Sequence, residues 1–251
     1  TPRHRSPLGE APSANARWPA YLLLLLTRVV CLPTRRTPMS EEAAIDTTTP
    51  IAVASPLGRR LLAEATNSQY DILGQCVRPQ RGRSSCALAA AALVCRSLGT
   101  VPADETAVLA AQRGPAPLLD TKRGVPLADL ARLFENLGFR RVATTHVGGL
   151  GNAEASEARI VDAIRAALAS RDRRVVLNFS LDTVGLGGRW GHHAVAAAYH
   201  APSNRVCVLD APTSLRPWAG PVWLDAGVLV RAMATHDYSS GVSRGFVVVG
   251  L

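Results

Sequence analysis

The spacing of apolar residues changes part-way along the chain. Between residues 56 and 169 they recur at helical intervals. PLGRRLLAEA (56–65) predicts a short amphipathic helix, and SCALAAAALVCRSL (85–98), ended by Gly99, predicts a helix apolar on almost every face. A helix with no polar side has nothing to offer water, so this one is expected to be buried. Ala103 to Ala111, PLADLARLFENL (126–137, opened by a proline and stopped by Gly138) and Ala155 to Ala169 read as further amphipathic helices. After that the apolar runs shorten to RVVLNF (174–179), AVAAAY (194–199), RVCVL (205–209) and FVVV (246–249), bounded by Gly, Pro, Asn and Asp, which predicts strands. Pro202-Ser203-Asn204 reads as a hairpin turn, making the strands on either side antiparallel neighbours. Helices followed by antiparallel strands give an α+β class, with a helical N-terminal part packed against an antiparallel sheet.

Residues 1–50 follow neither pattern. Their one apolar run, WPAYLLLLL (18–26), is followed at once by Thr27 and Arg28 and falls far short of the about 20 apolar residues that cross a bilayer, so no stable membrane insertion is expected. Basic residues ahead of it suit a signal peptide, and an Arg-rich, acid-poor stretch equally suits an organelle transit peptide. The chain begins at Thr1, whereas Met39-Ser40-Glu41-Glu42 reads like an ordinary start, so translated upstream sequence is a third reading. Residues 1–50 are therefore expected to be a disordered leader, targeting or non-native segment, and 51–251 one domain. The expected compartment is the cytoplasm, or an organelle or the secretory route if 1–38 is a targeting segment.

Charge alters the picture less than its sum suggests. Lysine plus arginine number 28 against 19 acids, a net charge of +9, which would suit a polyanionic partner. Lys122 is the one lysine, however, and residues 1–38 alone hold six arginines and one acid. No basic run is interleaved with aromatic residues, which make up 5% of the chain, so nucleic-acid binding is not expected. The glycine-rich stretches VGGLGN (147–152) and VGLGG (184–188) lack the strand, Gly-x-Gly-x-x-Gly and helix order of a nucleotide site.

The five cysteines include no C-x-x-C pair and no zinc-type spacing with histidine. Cys86 differs from the rest in position. It opens the buried helix behind Ser84 and Ser85, candidate N-caps, where backbone N–H groups and the helix dipole favour a thiolate. Cys95, 2.5 turns on, faces the other way and reads as core, as does Cys207 within a strand; Cys76 fits either reading. Downstream, Gly191-His192-His193 opens a strand, and alternation allows only one of the two imidazoles to face a given cleft. The hairpin brings Asp210 alongside on the neighbouring strand. Cysteine at a helix N-terminus, histidine at a strand start and an acid beside it supply a nucleophile, a base and an orienting group, the arrangement of papain-like thiol enzymes.

At these residues the segment from about 51 to the end resembles the catalytic domain of phytochelatin synthases, the glutathione γ-glutamylcysteinyltransferases. The likeness rests on SPLGRRLL, Gln80 six residues ahead of Cys86, RGVPLADLARLFENLGF, GHHAVAAAYHAPSNRVCVLD and SRGF (243–246), in that order. The 106 residues from Cys86 to His192 and the 18 from His192 to Asp210 also suit the family.

The resemblance implies a papain-like fold and attack by Cys86 on the glycyl-side amide of glutathione. Glycine would leave and a γ-glutamylcysteinyl thioester remain, with His192 as base and then acid, Asp210 fixing its tautomer, and Gln80 with the Cys86 N–H facing the oxyanion. The acyl group would pass to a second glutathione or to water, serving heavy-metal detoxification and glutathione turnover. Cadmium or zinc would enter as metal–glutathione thiolate substrates, with no tightly bound cofactor and no dedicated metal site, and the chain could pair as a homodimer. Three departures stand out. Cys86-Ala87 replaces the family's Cys-Gly, and Gly191-His192-His193-Ala194-Val195 replaces Gly-His-Phe-Ser-Pro. Asp210-Ala211-Pro212-Thr213 replaces Asp-Val-Ala-Arg, which puts Thr213 at a substrate-binding arginine and Arg216 near a tyrosine position. Gly191, Thr213 and Arg216 are thus the candidates for substrate contact. A papain-like peptidase of other specificity and a non-catalytic binding protein on the same fold are the competing readings.

Overall fold

The computed structural model describes residues 48–102, 104–111, 124–148, 153–211 and 220–251; the leader at 1–47, Thr213 and Arg216 lie outside them. In chain order the elements are β1 (Ile51–Ala52), α1 (Pro56–Ala63), β2 (Asn67–Ser68), α2 (Tyr70–Cys76), α3 (Cys86–Ser97), α4 (Glu105–Ala110), α5 (Leu127–Asn136), β3 (Arg141–His146) and α6 (Ala153–Leu168). They continue with β4 (Arg173–Ser180), β5 (Gly191–His200), β6 (Arg205–Leu209), β7 (Val222–Asp225), α7 (Ala226–Ala234), β8 (His236–Asp237), β9 (Val242–Ser243) and β10 (Gly245–Gly250). The main sheet runs β1-β7-β6-β5-β4-β10-β3, with β2 added beside β5, and each pairing among the described residues is antiparallel. The class is α+β, a helical N-terminal part packed on an antiparallel sheet.

Both faces of the sheet are covered. Alternation along β5 sends Val195 and Ala197 into a core with α3 and α5, including Leu88, Ala91, Leu130 and Phe134, while Ala194 and Ala196 join Ile164 of α6 and Leu229 and Met233 of α7 in a second core on the other face. α3 behaves as its apolar sequence requires, with Ala87 through Cys95 all buried. A bulge between Ala196 and Ala198 interrupts the β5–β6 ladder, and the turn beyond β5 is a short 3-10 segment closed by Asn204 in the left-handed region at φ 48°.

α3 is held at its C-terminal end by a buried arginine from the sheet. Arg174, 1% exposed, donates from Nε to Ser97 Oγ at 2.9 Å and from Nη2 to the Ser97 carbonyl at 3.0 Å. A cation there complements the helix dipole and satisfies an end carbonyl that has no intrahelical partner. The other end of α3 meets the start of β5, and the site lies at that junction.

Candidate active site

The loop between α2 and α3 is tied down before it delivers Cys86. Glu105, buried in α4, accepts from the Arg81 N–H at 2.9 Å. Ser85 stands at the N-cap position of α3 but makes no side-chain capping bond; its hydroxyl instead accepts from the Gly82 N–H at 3.0 Å. The expected serine cap is therefore absent at Ser85, because the hydroxyl is used to close the preceding turn. Gln80, also buried, donates from Nε2 to the Gly82 carbonyl, so its carboxamide belongs to the same tied loop.

The sheet supplies the other groups. β4 and β5 pair Phe179 with His192 and Asn178 with His193, while β5 and β6 pair Val195 with Leu209, which leaves Asp210 just beyond the end of β6. His192 Nε2–H donates to Asp210 Oδ1 at 2.6 Å, both side chains almost fully buried. Phe179 braces the His192 ring edge to face, with centroids 5.8 Å apart. With Nε2 committed to Asp210, Nδ1 is the ring nitrogen left for the thiol. The structure thus brings Cys86, His192 and Asp210 together, and it sets Gly191 at the head of the same strand.

Both histidines reach Cys86, which corrects the expectation that only one would. His193 Nδ1 lies 3.9 Å from Cys86 Sγ, and His192 hydrogen-bonds the same thiol. Side chains 192 and 193 do leave opposite faces of β5, but the sulfur sits where the strand begins and both rings can converge on it.

The electrostatics follow from this crowding. Burial alone would push the Cys86 thiol up; hydrogen bonds from His192 and His193, and their charge, outweigh it and hold the thiol well below its ordinary value. Burial works against a charged His192 too, but the hydrogen bonds to Asp210 and Cys86 raise it to about 9. Both shifts run toward a thiolate beside an imidazolium, the form that an activated cysteine nucleophile takes at neutral pH. Cys95 and Cys207 are buried in the core, where desolvation pushes their thiols up. Among the described residues no cluster of three or more His, Cys, Asp and Glu side chains could hold a metal ion, and no helix is long and apolar enough to cross a membrane.

A model of the family described as phytochelatin synthase matches residues 43–246. The chain belongs to the phytochelatin synthase family. A curated relative, glutathione gamma-glutamylcysteinyltransferase 3 of Lotus japonicus, is 24% identical over 210 residues, covering 79% of this chain and 42% of that protein. The chain thus spans about two-fifths of that relative's length.

In this phytochelatin synthase family member two side chains at the site go beyond the residues given a catalytic or binding role from sequence. One is His193. The other is Arg244 of the SRGF motif, 7% exposed, whose Nη1 donates to Thr235 Oγ1 at 3.1 Å and to the His236 carbonyl. Its guanidinium lies against Gly191, so close that a Cβ there would stand 2.7 Å from Nε and 2.9 Å from Nη2. The motif marked this region, but spacing alone could not show that SRGF packs on the strand that carries His192. Arg244 is a cation that the described residues do place beside that strand, whereas the expected cation, Arg216, lies outside them.

Proposed function

We propose that the protein is a glutathione γ-glutamylcysteinyltransferase of the phytochelatin synthase type, working through a thioester on Cys86. The observation that carries this reading is the Cys86–His192–Asp210 chain of contacts at the N-terminus of a buried helix, in a member of this family. In the reaction the Cys86 thiolate attacks the carbonyl carbon of the cysteinyl–glycine amide. The tetrahedral oxyanion is met by the Cys86 backbone N–H and by the Gln80 carboxamide, whose N–H groups are donors. His192 enters as the imidazolium and gives its proton to the departing glycine nitrogen as the carbon–nitrogen bond breaks. Asp210 keeps the ring oriented throughout, and Arg244 adds positive charge for an anionic tripeptide.

The thioester then passes to water, giving γ-glutamylcysteine, or to the amine of a second glutathione, giving a longer thiol peptide. Heavy-metal ions act in this scheme as part of the acceptor substrate, as metal–glutathione thiolates, and the role is in metal detoxification and glutathione turnover. The test is incubation of the full chain with glutathione, with and without cadmium, measuring released glycine and thiol products. Glycine release that is lost in Cys86→Ala is the expected result; a wild-type chain that releases none would remove glutathione as the substrate.

A further inference from the structure

Beside Cys86 lies a slot that neither His192 nor Asp210 lines. Its walls are Ala89, Ala90 and Leu93 of α3 with Ala194, Leu209 and Ala211 from β5, β6 and the residues just beyond β6. It has room for about one water molecule, so what enters is a small group and not a whole peptide.

Two arginines line the same slot. Arg78 lies in the segment between α2 and α3, and Arg96 stands near the end of α3. Helix side chains lean toward the N-terminus, so Arg96 leans back along α3 in the direction of Cys86. Both guanidiniums are anchored at the end of α2. Arg96 Nε donates to the Cys76 carbonyl at 2.7 Å, and Arg78 Nη1 donates to the Gln75 and Val77 carbonyls at 3.1 and 2.7 Å. A guanidinium carries five N–H groups, more than these bonds use.

The two cations feel one another. Burial, and then the like charge of Arg78, lower the Arg96 guanidinium from its ordinary value. Among the described residues no aspartate or glutamate lines the slot to offset them. A cavity walled by one sign of charge and by apolar surface concentrates the opposite charge, so this one favours an anion. The slot also borders the run from Leu209 to Ala211 that leads to Thr213, the position that lacks an arginine.

We propose that Arg78 and Arg96 form an anion subsite that takes a carboxylate of the peptide reacting at Cys86. This rests on the thioester reading above and adds to it how the substrate is held. A carboxylate is small enough for the slot, and guanidinium N–H donors suit its geometry. Glutathione carries carboxylates both as the donor of the acyl group and as its acceptor, and the experiment separates the two.

The probes are iodoacetate and iodoacetamide, which alkylate a thiolate at the same carbon and differ in charge. Their rate ratio at Cys86 reads the subsite without needing glutathione as the substrate. In Arg78→Gln and in Arg96→Gln the iodoacetate rate relative to the iodoacetamide rate is expected to fall about 5-fold, with the iodoacetamide rate close to wild type. Arg83→Gln removes an exposed arginine of the same segment that does not line the slot, and should keep the wild-type ratio. An unchanged ratio in Arg78→Gln, whose side chain is exposed, or an equal fall in Arg83→Gln, would overturn the proposal. Glutathione then identifies the ligand. A higher glutathione concentration for half-maximal first-turnover glycine release in Arg78→Gln assigns the subsite to the donor, whereas an unchanged first turnover with loss of transfer products assigns it to the acceptor. No change in either step would deny it a substrate carboxylate. If glutathione yields no glycine with the wild type while the alkylation pattern holds, the substrate reading fails and the anion subsite stands.

Discussion

At the scale of single residues, one cysteine is set apart by its neighbours. The two imidazoles that crowd Cys86 lower its pKa, while Cys95 and Cys207 are pushed the other way. Iodoacetamide at neutral pH should therefore alkylate Cys86 and spare Cys95 and Cys207, and Cys95→Ala should leave acyl-enzyme formation intact; peptide mapping checks the first and quenched-flow the second. The pH dependence has a definite sign. His192 is raised from an ordinary 6.5 to about 9, so the imidazolium that the proposed mechanism requires persists through neutrality and is lost as the pH rises through about 9. First-turnover glycine release should fall along that alkaline limb. Asp210→Asn removes the principal support of the charged ring, so the limb should move to lower pH, and the rate at neutral pH should drop by about 100-fold or more. A limb left at about pH 9 in that variant would deny Asp210 its role. Gly191→Ala tests a close approach of another kind. A methyl there meets the pinned Arg244 guanidinium at 2.7 Å, so the arginine or the start of β5 must shift, and glycine release should fall far more than thermal stability.

At the scale of elements, α3 is the piece that positions the site, tied to β4 at one end and to the α2–α3 loop at the other. Arg174→Ala would remove a buried side chain together with its two bonds to half-buried Ser97 and is expected to cost about 2–4 kcal/mol, read by urea unfolding. α1 is fixed differently. Ser55 caps it through the Gly58 N–H at 3.0 Å, and Gly58 lies so close to β1 that a Cβ would stand 2.1 Å from the Ala52 carbonyl oxygen. Gly58→Ala must push backbone against backbone and is expected to cost about 1–3 kcal/mol, measurable in the same experiment. α3, α5 and the β5–β6 hairpin were legible in the sequence because each carries an unambiguous period or turn signal. α2 and α7 were not. α2 is seven residues with one buried side chain, too short to show a period, and α7 is buried along most of its length, so its apolar residues do not form a stripe. β3 was missed because RVATTH lies at the sheet's edge, largely exposed, without the apolar run that marked the inner strands. Cys86 could be picked out in the sequence because it opens the apolar helix, and His192 and Asp210 because hairpin geometry is local. His193's approach to the thiol could not, since it depends on where α3 meets the end of β5.

At the scale of the molecule, the net charge of +9 loses its first meaning. Among the described arginines, three are buried and turned to inward tasks. Arg174 caps α3, Arg244 covers Gly191, and Arg205, 2% exposed, donates to the Thr49 carbonyl at 3.1 Å just ahead of β1. The family match begins at residue 43, ahead of the boundary expected at 51, and it takes in both layers of helices and the sheet between them as far as the start of β10. All of this converges on one sulfur atom. The most direct measurement is mass spectrometry of the full chain quenched within its first turnover with glutathione, mapped by peptide. A γ-glutamylcysteinyl adduct on the peptide that carries Cys86, with one glycine released per adduct and neither seen in Cys86→Ala, is the expected result. Glycine release with no adduct at Cys86, or an adduct on another cysteine, would contradict the account.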